Sequence, residues 1–128
     1  KFNWKDENQK FFDSINNSLI SVCLICFVIG AILKTSQGSS TSAMIITSSL
    51  IFPLISKYNF TNFDIVMVTL SIGAGSMMIS HLNDSYFWIV SKKSEMNLQN
   101  SLKYFSIMTV FQSLSTILFI SLIILISS

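Results

Sequence analysis

GAGSMMISHLND, Gly73 to Asp84, decides how this chain is read, because it cuts a polar run into a strongly apolar stretch from Ile65 to Val90. An ionisable His81 and Asp84, flanked by Gly73, Gly75, Ser76, Ser80 and Asn83, are costly in hydrocarbon unless they face a polar cavity or a ligand. The run therefore predicts a binding site inside a membrane. Glycines at 73 and 75 permit unwinding, and Asn83 or Asp84 can cap a resumed helix through Tyr86, Phe87, Trp88 and Ile89. The expected element is a discontinuous helix over 64–90, opened by Asp64 as N-cap, of the kind transporters use.

Composition supports a membrane class. Of 128 residues, 51% are hydrophobic and 11% charged, unlike an ordinary soluble domain. The run 104–127 carries no charge and, at ~1.5 Å per residue, reaches roughly 36 Å, enough to cross a bilayer core as a terminal transmembrane helix. The net charge of +2 comes from dispersed lysines, which gives no basic face for nucleic acid. Lys92, Lys93 and Lys103 place the connection 91–103 on the cytoplasmic side.

Upstream, 19–33 is apolar and 43–55 is apolar but only thirteen residues long, with Pro53 near its end. At ~1.5 Å per residue this second arm covers roughly 20 Å, too little to cross. Between them KTSQGSSTS, Lys34 to Ser42, suits the tip of a helical hairpin, so 15–56 is expected to be re-entrant after a polar lead-in at 1–14. A tip at membrane depth must pack against protein or a cavity. The helix opening near Thr41 would present free N–H groups to a carboxylate. Because residue 1 is Lys and no secretory leader is apparent, the chain is expected to be part of a longer protein.

Lys34 either pairs with a carboxylate, and so holds an acidic substrate, or snorkels to an interface. Ser39, Ser40 and Thr41 suit a hydroxylated ligand, and equally suit a turn and helix cap. His81 and Asp84 suggest a proton relay; the alternative makes Asp84 a cap and His81 a packing group. A Ser76, His81, Asp84 hydrolase triad ranks below transport, because all three sit in one short segment. Cys23 and Cys26 share an apolar helix face and read as packing, with no disulfide, metal site or cofactor expected.

LKTSQGSSTSAMIITSSLIFPL (33–54) and SIGAGSMMISHLNDSYFWIV (71–90) together closely resemble the C-terminal part of the gluconate permease family. That family is similar in turn to a superfamily of ion-coupled organic-anion transporters. The resemblance implies an all-α integral membrane fold, the C-terminal repeat of an inverted-repeat transporter with a re-entrant hairpin, a broken helix and a final span. It also implies proton-coupled symport of gluconate or a related sugar acid by a multi-pass inner (plasma) membrane permease. The alternatives are another organic anion, such as a dicarboxylate or lactate-like acid, or a noncatalytic membrane fragment.

On this resemblance Lys34 and the hairpin amides hold the carboxylate, and Ser39, Ser40, Thr41 and Asn83 bind hydroxyls. Gln37, Gly38, Gly73, Gly75, Ser76 and Ser80 complete the substrate-binding set, while His81 or Asp84 couples protons. Family members commonly carry arginine where this chain has Lys34, which keeps the charge but removes the bidentate fork. The implied partners are the sugar acid, protons, the bilayer, the remaining N-terminal part of the permease and, as an option, further copies of the chain.

Overall fold

The computed structural model describes residues 18–57 and 60–127, and every regular element among them is helical. The expected lead-in and the first residues of the hairpin, through residue 17, lie outside this range. In chain order the helices are α1 (Leu19–Gln37), α2 (Ser40–Lys57), α3 (Asn62–Gly75), α4 (Ser85–Lys93), a short α5 (Leu98–Asn100) and α6 (Ser106–Ser127). A π-helical turn, Ser101–Phe105, joins the last two into one continuous helix. Leu19–Gln37 and Leu98–Ser127, of 19 and 30 residues, are long and apolar enough to cross a membrane.

The core runs along α1. Its buried residues Val22, Cys23, Cys26, Phe27, Gly30, Ala31 and Lys34 recur at the helical period, so one face meets α2 and α3 while Leu24, Val28 and Ile32 face outward. Met67, Val68 and Ile72 of α3 and Ile117, Ile120 and Ile124 of α6 complete the cluster, with Ile51 from α2. Cys23 and Cys26 are both free and buried within it.

Several boundaries differ from the sequence reading, each for a local reason. α3 starts at Asn62, because Thr61 and not Asp64 is the N-cap. Thr61 Oγ1 accepts from Asp64 N–H (3.3 Å), and the Asp64 carboxylate accepts from Thr61 N–H (2.9 Å), a reciprocal capping box. α2 is 18 residues, roughly 27 Å at ~1.5 Å per residue, longer than the thirteen apolar positions suggested. Its first turn recruits Ser40, Thr41 and Ser42, and Ser39 Oγ accepts from Ser42 N–H (3.3 Å). The connection expected over 91–103 shrinks to 94–97, since α4 runs through Lys93 and Asn97 caps the next helix by accepting from Asn100 N–H (2.8 Å).

Gly73 and Gly75 do not lie in an unwound stretch; both are helical, and regular structure lapses only from Ser76 to Asp84. Gly75 has a packing role instead, because a Cβ there would fall on the Phe27 backbone carbonyl, so its absence lets α3 touch α1 backbone to backbone. A Cβ at Gly73 meets open space. Gly75→Ala is therefore expected to cost about 1–3 kcal/mol through overpacking. Gly73→Ala should stabilise by up to about 1 kcal/mol through helix propensity. Thermal unfolding of the two variants in detergent checks the contrast; equal midpoints would contradict it.

Candidate functional site

Two irregular segments meet at one end of α1. The helix ends at Gly38, whose φ of 70° is left-handed and whose N–H bonds to Lys34 O (2.8 Å), so the chain reverses sharply into α2. The non-helical stretch 76–84 packs against this reversal. The Asn83 backbone lies where any Cβ on residue 38 would sit, which demands glycine a second time. Asn83 Nδ2 donates to the carbonyls of Thr35 (3.2 Å) and Ser36 (3.3 Å), satisfying acceptors left open by the last turn of α1.

At the centre Lys34 Nζ donates to Asp84 Oδ2 at 2.6 Å, with the two residues only 1% and 5% exposed. Ser80 Oγ donates to the same oxygen, and Oδ1 accepts from Tyr86 N–H (3.0 Å), so Asp84 also caps α4. Both oxygens of the carboxylate are thus occupied, as a buried charge requires. The sequence marked Lys34 and Asp84 separately; fifty residues apart, nothing in the order of residues pairs them.

α6 supports the irregular backbone and the end of α3 with hydroxyls. Ser106 Oγ donates to Ser80 O (2.5 Å), Thr109 Oγ1 accepts from Ser80 N–H (3.3 Å), and Ser113 Oγ donates to Ala74 O (2.6 Å). Their spacing of three and four places all three on one helix face. The signal was present in the sequence but lay inside a segment that reads as a plain span.

A cleft of about 640 Å³ opens between the reversal, the non-helical stretch and α6. Seven sequence-nominated residues line it: Lys34, Gly38, Ser39, Ser40, Thr41, Ser80 and Asp84. The N-terminus of α2 reaches it through Ser40 and Thr41, and a helix start carries a partial positive charge. Ser85, Thr109 and Gln112 add polar groups that the sequence reading missed, while Met77, Tyr86, Ile89 and Phe105 make an apolar wall. The Tyr86 and Phe105 rings lie 6.0 Å apart in a tilted pair. Gln37, Gly73, Gly75, Ser76, His81 and Asn83 do not line the cleft.

His81 is half-buried with Nδ1 unpartnered, and the fully buried Ser76 Oγ is likewise unpartnered. No side-chain hydrogen bond therefore links Ser76, His81 and Asp84, and the geometry of a hydrolase triad is absent from them.

Residues 8–126 match the family described as GntP family permease. The chain belongs to the GntP permease family. It is 30% identical over 107 residues to a gluconate permease of Pseudomonas aeruginosa, covering 84% of this chain and 23% of that protein. It is 30% identical over 104 residues to the Gnt-II system L-idonate transporter of Escherichia coli K12, covering 81% and 23%. A low-affinity gluconate transporter of the same bacterium is 29% identical over 89 residues, covering 70% and 20%. The chain thus spans about a fifth to a quarter of the length of these relatives, which are named as transporters and permeases, not enzymes. No solved structure gives a significant match.

Within this GntP-family segment the ion pair makes a clear energetic demand. Lys34→Ala strands a buried carboxylate and is expected to cost about 3–5 kcal/mol. The neutral pair Lys34→Met with Asp84→Asn keeps a helix cap and should regain most of that loss. Unfolding midpoints in detergent check this; a double variant no better than Lys34→Ala would contradict it.

Proposed function

We propose that this chain supplies one half of the transport site of a permease that carries gluconate or a related sugar acid with protons across the inner membrane. The observation that carries the reading is the cleft. It joins a buried ammonium, three hydroxyls at a helix N-terminus and an apolar wall in a chain of a permease family. A sugar acid offers one carboxylate, a row of hydroxyls and an edge of C–H groups, which is the complementary set. Relatives named for gluconate and L-idonate point to the same substrate class.

In this reading α1 and α2 form a re-entrant hairpin, α3 and α4 are the halves of one broken transmembrane helix, and Leu98–Ser127 is the terminal span of a multi-pass protein. The 94–97 connection, flanked by exposed Lys92, Lys93 and Lys103, faces the cytoplasm. Lys34 and the α2 amides hold the carboxylate, and Ser39, Ser40, Thr41 and Ser80 contact hydroxyls. Gln37, Gly73, Gly75, Ser76 and Asn83 act on the shape of the site. Asp84 or His81 takes the coupled proton. The remainder of the permease supplies the other half-site, and the whole assembly, as a monomer or a homo-oligomer, works by alternating access.

Uptake of labelled gluconate into cells expressing the intact permease, with and without an imposed proton gradient, tests this. Gradient-dependent uptake that Lys34→Ala reduces at least about tenfold, the scale of one lost charge-assisted contact, is the expected result. Protein present in the membrane without gluconate uptake contradicts it, and competition by a dicarboxylate or a lactate-like acid would reassign the cargo.

A further inference from the structure

The geometry points to a specific coupling device: Asp84 is an internal stand-in for the substrate carboxylate on Lys34, so a proton and an acid anion enter the site together and leave it with no net charge. This rests on the transport reading above. Lys34 is 1% exposed, lies on the cleft wall and already holds one carboxylate at 2.6 Å. A substrate anion that needs the same ammonium therefore competes with Asp84 for it.

Charge accounting decides how the exchange proceeds. The empty site holds Lys34⁺ and Asp84⁻ and sums to zero. An anion added alone leaves a buried net negative charge, and a proton added alone leaves an unpaired buried ammonium; both are costly. When a proton from the aqueous side adds to Asp84 Oδ2, the Nζ–H···Oδ2 bond breaks and the ammonium turns to the substrate carboxylate. The loaded site, Lys34⁺ with neutral Asp84 and the anion, again sums to zero.

Neutral Asp84 keeps its other partners. Ser80 Oγ, which donates to Oδ2 in the ionised state, can accept from the new O–H, because a hydroxyl does both. Oδ1 continues to accept from Tyr86 N–H. The neighbouring elements leave Asp84 as the proton carrier. α1 presents Lys34, α4 presents Tyr86, and the cleft-lining groups of α2 and α6 are the neutral Ser40, Thr41, Thr109 and Gln112. His81, on the same segment as Asp84, is not on the cleft wall.

Two measurements on the purified, intact permease test the device. In the first, sugar-acid binding by the wild type weakens by roughly tenfold for each pH unit above the titration of the carboxyl, as single-proton linkage requires, whereas Asp84→Asn binds with no pH dependence. In the second, proteoliposomes clamped with potassium and valinomycin accumulate the acid under a pH gradient, and a membrane potential alone drives none. This second readout uses the wild type, so it holds even where Asp84→Asn fails to fold. A pH slope that persists in Asp84→Asn, or accumulation driven by potential alone, overturns this inference while leaving the transport reading intact. A wild type that binds no sugar acid at any pH overturns both.

Discussion

The buried contact between Lys34 and Asp84 is the constraint on which the arrangement of this chain depends. Desolvating an ammonium and a carboxylate is expensive, and their attraction offsets that cost only when geometry and further hydrogen bonds are good. The surroundings supply those conditions. Gly38 turns the end of α1 so that Asn83 can sit against it, Asn83 closes the last carbonyls of α1, and Ser80 and Tyr86 N–H occupy the rest of the carboxylate. Moving any of these shifts one charge away from the other, so the reversal and the non-helical stretch are held as a unit.

A second requirement follows from the apolar surroundings. Non-helical backbone deep in a membrane protein must find its hydrogen bonds within the protein or a cavity. Here α6 meets part of that need with Ser106 and Thr109, and its Ser113 bonds the Ala74 carbonyl at the end of α3, while Trp88 Nε1 donates to Leu82 O (2.8 Å). The same helix thus serves two purposes. Its isoleucines fill the core against α3, and its hydroxyl face completes the backbone of the neighbouring segment.

Much of this was legible in the residues, for identifiable reasons. Apolar length marks 104–127 as a span, whereas 19–33 reads only as one arm of a hairpin and belongs to a 19-residue helix long enough to cross. The cost of burying His81 and Asp84 draws attention to 73–84, and helical structure lapses over its later part, 76–84. Lys34 through Thr41 stood out because polar residues cluster there between apolar arms. What periodicity could not supply was partnership. Neither the pairing of Lys34 with Asp84 across fifty residues nor the docking of Thr109 beside Ser80 follows from local pattern. Boundaries also moved where side chains decided them: the Thr61 capping box displaced Asp64 from the N-cap, and Gly75 proved to serve close packing against Phe27, not unwinding.

The most direct test of the account is a solved structure of the intact permease with a sugar acid bound. The substrate carboxylate is expected within hydrogen-bond reach of Lys34 Nζ at the N-terminal end of α2, with Asp84 released from the ammonium and still capping α4. A bound acid elsewhere, with Lys34 still paired to Asp84, would contradict it.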